Sequence, residues 1–315
     1  MSVEKMKLQD FVGNTEAVTQ IKLLCSDAVD KGGKLPHLGF FGAAGHGKTT
    51  MAKIVADYVG RQFVYINSVA VKNSMIFRGL LTHPDNNAHG AVILMDECHR
   101  LPSKIRDNLL SVLEYPATLV TSYRNQIIRD KLPDHISFIF ATTHAGKIRD
   151  AFLSRLEVIE FHEYTTPEKQ LIAAKYLKRE HNFSNELISV DAITEIGRRS
   201  RSGRQVVKTC ENMMRFMRYK SLDKLDISVV RRVFDILGID DNGLTKRDRL
   251  YLGYLAESGQ CGLDTLEAYL NVPKRDIKDK VEPWLLRQNL VLRQSSGRAI
   301  TPRGMKAVKG EKVDV

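Results

Sequence analysis

The stretch LGFFGAAGHGKTT, residues 38–50, decides how the rest of the sequence is interpreted. Its first part, Leu38–Phe41, is a short apolar run that predicts a buried β-strand. The next residues, Gly42–Thr49, match the pattern G-x-x-x-x-G-K-[ST], and Thr50–Tyr58 continues with the apolar spacing of a helix. A strand before this pattern and a helix after it are the context that a phosphate-binding loop requires. The stretch therefore predicts a nucleotide site in an α/β domain.

The residue types in this loop each have a physical role toward phosphate. Glycines leave room for backbone N–H groups to approach phosphate oxygens, and Lys48 adds a positive charge for the β- and γ-phosphates. Thr49 offers a hydroxyl to Mg²⁺, and the following helix directs the positive end of its dipole at the phosphates. ATP and Mg²⁺ are therefore the expected cofactors. We expect the nucleotide to contact Gly42, Gly45, Gly47, Lys48, Thr49 and Thr50.

A second apolar run ends in two carboxylates. Ala91–Met95 is followed by Asp96 and Glu97, as expected of a buried parallel strand whose carboxyl end faces a ligand. Asp96 is the candidate for the Mg²⁺ shell, and Glu97 is the candidate that polarises the attacking water. An acidic pair at the end of a strand can also be a solvated surface feature. The phosphate loop in the same chain favours the catalytic interpretation.

A third apolar run, Ile136–Ala141, predicts another buried strand of the same sheet. Thr142 and Thr143 follow it, and a polar side chain here would lie between the two phosphate-binding strands. Either threonine could sense the γ-phosphate, and the sequence leaves the choice open. Thr143 is included among the candidates for nucleotide binding.

The composition favours a protein with a polyanionic partner. The formal net charge is +11 and the pI is near 9.4, and such an excess favours nucleic acid because phosphate contacts release counterions. The four cysteines are scattered without a CxxC pair, so they suggest neither a disulfide framework nor a zinc site. The sequence shows neither a signal peptide nor a membrane-spanning run, so we expect a cytoplasmic protein with no membrane association.

The C-terminal segment combines positive charge with a winged-helix pattern. Residues 287–312 hold seven basic side chains against one acidic side chain. Three helices followed by a hairpin make a winged helix, a relative of the helix-turn-helix. We interpret Trp284 as a core residue, and we expect Arg293, Arg298 and Arg303 to contact the DNA backbone. The predicted helices are 246–257, 264–270 and a third that carries Ile277, Val281, Trp284 and Leu285, and the predicted hairpin is 290–301.

A turn cluster, Asp240–Gly243, marks a predicted domain boundary. The residues before it, Thr166–Leu237, have helical apolar spacing in which Met213, Met214 and Met217 are interpreted as core. The chain is therefore predicted to contain three domains. They are a large α/β ATPase domain (1–163), a helical lid domain (164–240) and a winged-helix DNA-binding domain (241–315).

Six segments of the chain are similar in sequence to one known family. They are Leu8–Asn14, Gly42–Thr49, Met95–Pro102, Ala141–Gly146, Ile196–Arg204 and Gly243–Pro302. Together they resemble the RuvB family of AAA+ ATPases over nearly the whole length. The resemblance implies an α/β P-loop AAA+ ATPase core with a helical lid domain and a C-terminal winged-helix domain. It also implies a hexameric ring that hydrolyses ATP to drive branch migration of Holliday junctions in recombination and repair.

The resemblance implies further roles for particular residues. Phe11 and Val12 lie in the segment that lines the adenine pocket in the family. Arg155 falls at the arginine finger, which enters the ATP site of the neighbouring subunit, and Arg204 falls at sensor 2 on the lid. A permanently charged guanidinium suits both roles. The catalytic candidates are Lys48, Glu97 and Arg155.

The chain also departs from the family pattern. Residues 43–44 are alanines where the family usually has prolines, and His46 replaces an apolar residue. The family's finger region usually carries two arginines, but here Leu153 and Ser154 precede Arg155, and this Ser-Arg pair looks more like a clamp loader. His144 also stands where the family usually has an arginine. These last two departures bear on the coupling between subunits.

Residues 118–129 predict a β-hairpin. In RuvB a hairpin at this place docks the junction-binding partner RuvA, so a RuvA-like protein is one expected partner. A plain hairpin without a partner is the alternative.

Two other functions remain as alternatives. A clamp loader or helicase loader is suggested by the Ser154–Arg155 pair, but clamp loaders end in a helical collar and not in a winged helix. A nucleotide-gated DNA-binding scaffold is the second alternative. It would not need to keep the hydrolytic Glu97.

Overall fold

The chain folds into two compact units, Met1–Thr165 and Thr166–Val315. The computed structural model describes residues 6–30, 32, 35–83, 90–114, 117–123, 126–133, 135–181 and 187–313. Within these ranges the first unit has a parallel sheet between helices, and the second has helices and a small antiparallel sheet. None of the helices described there is long and apolar enough to span a bilayer.

The strands described in the first unit are β1 (Leu38–Phe41), β2 (Gln62–Asn67), β3 (Ala91–Asp96), β4 (Thr118–Tyr123), β5 (Gln126–Lys131), β6 (Ser137–Thr142) and β7 (Glu157–Glu160). Five of them form a parallel sheet in the order β2-β3-β6-β1-β7. Because β6 lies between β3 and β1, the carboxyl ends of the three strands predicted from the sequence meet at one edge. The predicted α/β core with a parallel sheet is confirmed.

Both faces of this sheet are covered by apolar side chains. Ile93 and Phe138 belong to the core on one face, whereas Leu94 and Ile139 belong to the core on the other. This burial explains why β3 and β6 are apolar at successive positions and do not alternate with polar residues. Helices Thr15–Asp30 and Lys48–Tyr58 cover one face, and helices Ser74–Leu81 and Ser103–Val112 cover the other.

Strands β4 and β5 form the predicted hairpin, with Thr121 opposite Ile128. Arg78 holds the hairpin to the domain, since Nε and Nη2 donate to the two carboxylate oxygens of Asp130 at 2.6 and 2.7 Å. Ile127 is 65% exposed. The turn residues 124–125 of the predicted hairpin lie outside the described residues.

The second unit begins with a bundle of helices. The three methionines predicted to fill a core, Met213, Met214 and Met217, are buried there. They lie on one face of the third helix in this bundle. The helices are Thr166–His181, Val190–Arg199, Gly203–Lys220 and Ile227–Ile236.

The winged helix follows, with a core around Tyr251 and the predicted core residue Trp284. Its strands pair antiparallel in the order β8-β10-β9, where β8 is Gln260–Cys261, β9 is Val291–Gln294 and β10 is Gly297–Ile300. Strand β8 was not predicted, because two residues are too few to show a period. The helices are Lys246–Ser258, Leu263–Leu270, Lys274–Asp276, a π-helical turn Ile277–Val281, Glu282–Arg287 and an unpredicted last helix Pro302–Val308.

The turn predicted as a domain boundary is held by hydrogen bonds to residues that precede it and to residues that follow it in this unit. Arg201 lies over the ring of Trp284 at 3.7 Å, and its Nη2 donates to the carbonyl oxygen of Gly243 at 2.7 Å and to Asp248 at 2.5 Å. Asn242 donates to the carbonyl oxygen of Glu311 at 2.9 Å. Through Arg201, the helical bundle and the winged helix are therefore joined by partly buried polar contacts.

All four cysteines are buried free thiols. Burial raises the pKa of Cys25, Cys98 and Cys210 to about 12, and it also raises the pKa of Cys261. Because the thiolate is the reactive form, we expect the native protein at pH 8 to resist a chromogenic thiol reagent and to react fully in guanidinium. Leu23→Cys, at a position 67% exposed, should add one fast equivalent. Rapid labelling of the unaltered native chain would contradict this assignment.

Candidate functional site

The phosphate-binding loop connects β1 to helix Lys48–Tyr58 with the geometry that its glycines allow. Gly42, Gly45 and Gly47 have φ of 149°, 83° and 89°, a region that favours glycine. A Cβ at Gly42 would overlap the carbonyl oxygen of Phe161 on β7's side of the loop. The loop therefore packs closely against Phe161 on one side and leaves its backbone open to a ligand on the other.

Lys48, at the start of the helix, is buried inside this loop. Its Nζ donates to the carbonyl oxygens of Gly42 and Ala43 at 2.6 and 2.8 Å. Thr49 is half-buried and Thr50 is exposed beside it on the first turn. A positive charge and two hydroxyls thus lie at the helix N-terminus, where the helix dipole also favours an anion.

The two carboxylates at the end of β3 have distinct surroundings. Asp96 accepts a hydrogen bond from Tyr65 Oη at 3.1 Å and one from the backbone N–H of Glu97 at 3.0 Å. Glu97 has φ of 53°, a left-handed conformation that is uncommon for a residue with a side chain. Such conformations concentrate at functional sites. Tyr65, on the edge strand β2, was not recognised from the sequence.

The two threonines after β6 face different partners. Thr143 Oγ1 lies 3.4 Å from Glu97 Oε2, so it reaches the side chain proposed to polarise water. Thr142 is fully buried, and its Oγ1 lies 2.9 Å from His99 Nδ1 and accepts from the backbone N–H of His144 at 3.0 Å. The arrangement favours Thr143 as the residue that faces the nucleotide.

Two histidines complete this edge of the sheet. His99 Nδ1 lies 3.3 Å from Glu97 Oε2, and the rings of His99 and His144 have centroids 4.6 Å apart. Burial lowers the pKa of His99 to about 4, and the positive charges around it act in the same direction. His99 is therefore neutral at pH 7.

The N-terminal segment lies directly beside the phosphate loop. A Cβ placed at Gly47 would meet the ring of Phe11 at 2.6 Å, and Phe11 packs edge-on against Phe161 with centroids 6.5 Å apart. Val12 is buried. Asn14 accepts a hydrogen bond from the backbone N–H of His162 at 2.6 Å, which attaches this segment to the domain.

The two arginines assigned by family position lie in different units of the chain. Arg155 Nε donates to Glu114 Oε1 at 3.1 Å, and Nη1 donates to the carbonyl oxygen of Ala151 at 2.5 Å. Glu114 was not predicted as its partner. Arg204 is exposed on the first turn of helix Gly203–Lys220 in the second unit, after the N-cap Ser202.

The wing arginines have a partner that the sequence did not reveal. Arg293 and Arg298 both donate to the fully buried carboxylate of Glu282, at 2.6 to 3.4 Å. Tyr251 Oη also donates to it at 3.1 Å. Burial alone would raise the pKa of Glu282, but the hydrogen bonds from Arg298 and Arg293 outweigh it and the pKa is lowered. Arg303 is half-buried on the last helix.

Residues 3–161 match the family described as "Holliday junction DNA helicase RuvB P-loop domain", which is about half the chain. The chain belongs to the RuvB family. Residues 241–309 also match the RuvB C-terminal winged helix domain. The family, the P-loop ATPase class and the winged-helix fold predicted from the sequence are thereby confirmed.

Similar proteins cover nearly the whole RuvB-family chain. The Holliday junction branch migration complex subunit RuvB of Rhodopirellula baltica is 27% identical over 100% of this chain and 86% of its own length. The subunit of the same name from Lawsonia intracellularis is 28% identical over 97% and 89%. The solved Thermotoga maritima RuvB Holliday junction branch migration motor is 25% identical over 99% of each chain, with a TM-score of 0.82.

Gly47→Ala tests whether this loop binds the nucleotide. The new Cβ would have to occupy a left-handed conformation and would meet Phe11 and Tyr164 at 2.6 Å each. We expect the affinity for a fluorescent ATP analogue to fall by about tenfold or more, since strain of this kind costs 1–3 kcal/mol. Gly79→Ala, which meets no atom within 4 Å, is the matched control and should bind normally. Equal binding by both variants would refute the assignment.

Proposed function

We propose that this RuvB-family chain is an ATP-driven motor that drives branch migration of Holliday junctions. The observation that carries the proposal is the convergence of Lys48, Glu97 and Thr143 at one sheet edge in a chain that ends in a winged helix. Relatives that match over nearly the whole chain bear the name branch migration complex subunit. Hydrolysis and a DNA-binding fold in one chain suit a motor.

The nucleotide chemistry follows from the donor groups at this edge. Lys48 would leave the carbonyl oxygens of Gly42 and Ala43 for the phosphates, which offer a full negative charge. Thr49 and Asp96 supply oxygen donors, the kind that Mg²⁺ prefers, and would hold that ion beside the phosphates. Its charge would stabilise the transferring phosphoryl group.

Glu97 would orient and polarise the attacking water. Its carboxylate lies within reach of Thr143, so a water bound between them would be oriented by an acceptor and a hydroxyl. Tyr65 holds Asp96 through a hydrogen bond. This bond would keep the Asp96 carboxylate from turning toward the water that Glu97 orients. We assign γ-phosphate sensing to Thr143 and, by family position, to Arg204.

A ring of subunits would complete the site. We propose a hexamer in which Arg155 reaches the nucleotide of the neighbouring subunit. In the single chain this guanidinium pairs with Glu114, whose side chain is largely exposed, and a pair of this kind costs little to break. An arginine finger supplied in trans makes hydrolysis depend on assembly.

Mixing two inactive variants tests the finger. Glu97→Gln and Arg155→Ala should each lower ATP turnover, Arg155→Ala by on the order of 10³. A 1:1 mixture should recover part of the turnover, because some interfaces then join an intact Glu97 to an intact Arg155. ATP hydrolysis and migration of a synthetic four-way junction are measured together.

Arg149→Ala is the matched control, since this arginine is 65% exposed and its pair with Asp107 lies on the surface. It should retain the wild-type rate. Co-assembly of the variants without any recovery would exclude a finger in trans. ATP turnover on DNA without junction movement, even with a RuvA protein added, would favour a clamp-loading or helicase-loading role instead.

We further propose that the winged helix binds the DNA backbone and that the β4–β5 hairpin docks a RuvA-like protein. A branch-migration motor must pass over every base pair, so backbone contacts without base reading suit it. Arg293 is 48% exposed although it pairs with Glu282, whereas Arg298 is mostly buried. Arg293 is therefore better placed for DNA than Arg298. The exposed Ile127 is an apolar contact that the hairpin offers to a partner.

Two substitutions distinguish a wing arginine that contacts DNA from one that stabilises the wing. Arg293→Ala should weaken duplex binding and reduce the slope of log K against log[salt] by about 1. Arg298→Ala should leave the salt slope unchanged and lower the stability by roughly 2–3 kcal/mol, because Arg298 is mostly buried against the carboxylate of Glu282. Arg293→Ala also removes a donor to Glu282, so the salt slope and not the stability identifies its DNA contact. Arg215→Ala, an exposed arginine of the helical bundle, is the control. Fluorescence anisotropy and thermal unfolding distinguish the effects, and an unchanged salt slope for Arg293→Ala would exclude that contact.

A further inference from the structure

Three side chains at the carboxyl edge of the sheet offer ligand atoms to one point. Glu97, His99 and His144 each have such an atom, and all three atoms lie within 4.8 Å of one another. Glu97 and His99 follow β3, and His144 follows the neighbouring strand β6, so the sheet itself brings them together. The group contains no cysteine, so the scattered thiols gave no sign of it in the sequence.

The geometry is close to that of a coordinated ion. Tetrahedral Zn²⁺ with bonds of 2.0–2.1 Å places its ligand atoms about 3.4 Å apart. His99 Nδ1 and Glu97 Oε2 already lie 3.3 Å apart. The rings of His99 and His144 are inclined at 49° with centroids 4.6 Å apart. All three ligand atoms lie within 4.8 Å of one another, so a bound ion would draw them closer together than they are here.

Each histidine ring has its Nδ1 at hydrogen-bond distance from a threonine hydroxyl. Thr142 Oγ1 lies 2.9 Å from Nδ1 of His99, and Thr143 Oγ1 lies 2.8 Å from Nδ1 of His144. Binding through Nδ1 would exchange one of these hydrogen bonds for a bond to the ion, and Thr142 would keep the backbone N–H of His144 as its donor. Glu97 and His144 are partly or fully exposed, which gives a hydrated ion access.

We propose that Glu97, His99 and His144 bind a Zn²⁺ ion, and that the bound ion takes the Glu97 carboxylate away from the attacking water and inhibits ATP hydrolysis. Two imidazoles and one carboxylate suit Zn²⁺ and leave a fourth position for water, whereas Mg²⁺ takes oxygen donors. The inhibitory half of this proposal rests on the proposed ATPase mechanism. The binding half does not.

Zn²⁺ affinity is measured without nucleotide, by competition with a chromophoric chelator. The wild-type chain should bind one ion, and His144→Ala and His144→Arg should each lose about tenfold or more in affinity. The arginine variant restores the residue that the family usually has and cannot ligate a metal. His135→Ala, an exposed histidine at the opposite end of the β6 strand, should bind as the wild type does. Unchanged affinity in both His144 variants would overturn the site.

Inhibition is measured separately, as the ATP turnover with Zn²⁺ divided by the turnover of the same variant without it. The ratio should fall in the wild type and in His135→Ala and stay near one in His144→Arg. Equal inhibition of all variants would show that Zn²⁺ acts by replacing Mg²⁺ on the nucleotide, and it would overturn the inhibitory half. A chain that binds Zn²⁺ at these residues but never hydrolyses ATP would refute the proposed function and leave the metal site standing.

Discussion

The burial of both faces of the parallel sheet is the constraint on which the first unit depends. Because apolar cores cover each face, the central strands β3 and β6 have no polar residue between their ends. Polar side chains are admitted only where the strands stop, and the order β3-β6-β1 brings three such ends together. The nucleotide site is thus a direct result of how the sheet excludes water elsewhere.

The groups at this edge are oriented before any ligand arrives. Tyr65 holds Asp96 and Thr143 contacts Glu97, whereas the loop carbonyls hold the ammonium of Lys48 until phosphate oxygens replace them. Donors and charges that are fixed in advance need little reorganisation when charge develops on a phosphoryl group, which is the main source of electrostatic catalysis. The same compactness places His99 and His144 against Glu97, so the site that favours hydrolysis also offers ligands to a softer ion than Mg²⁺.

The sequence predicted the elements whose signals are local. The phosphate loop, the strand that ends at Asp96 and the strand before Thr142 were readable because motif and burial coincide in a few residues. Contacts between distant segments were not readable: Glu282 meets Arg293 and Arg298 only after the wing folds back. The final helix was hidden within a basic run, although Thr301 caps it and Pro302 begins it.

The fastening of the turn near Asn242 has a mechanical consequence. Arg201 clamps the indole of Trp284 and the backbone of Gly243 at once, so the helical bundle and the wing share one set of polar contacts. A displacement of the bundle would therefore be transmitted to the wing as a nearly rigid-body movement. The distance that the wing moves DNA would then depend on the rigidity of this connection. A more flexible turn would let ATP be hydrolysed without moving DNA.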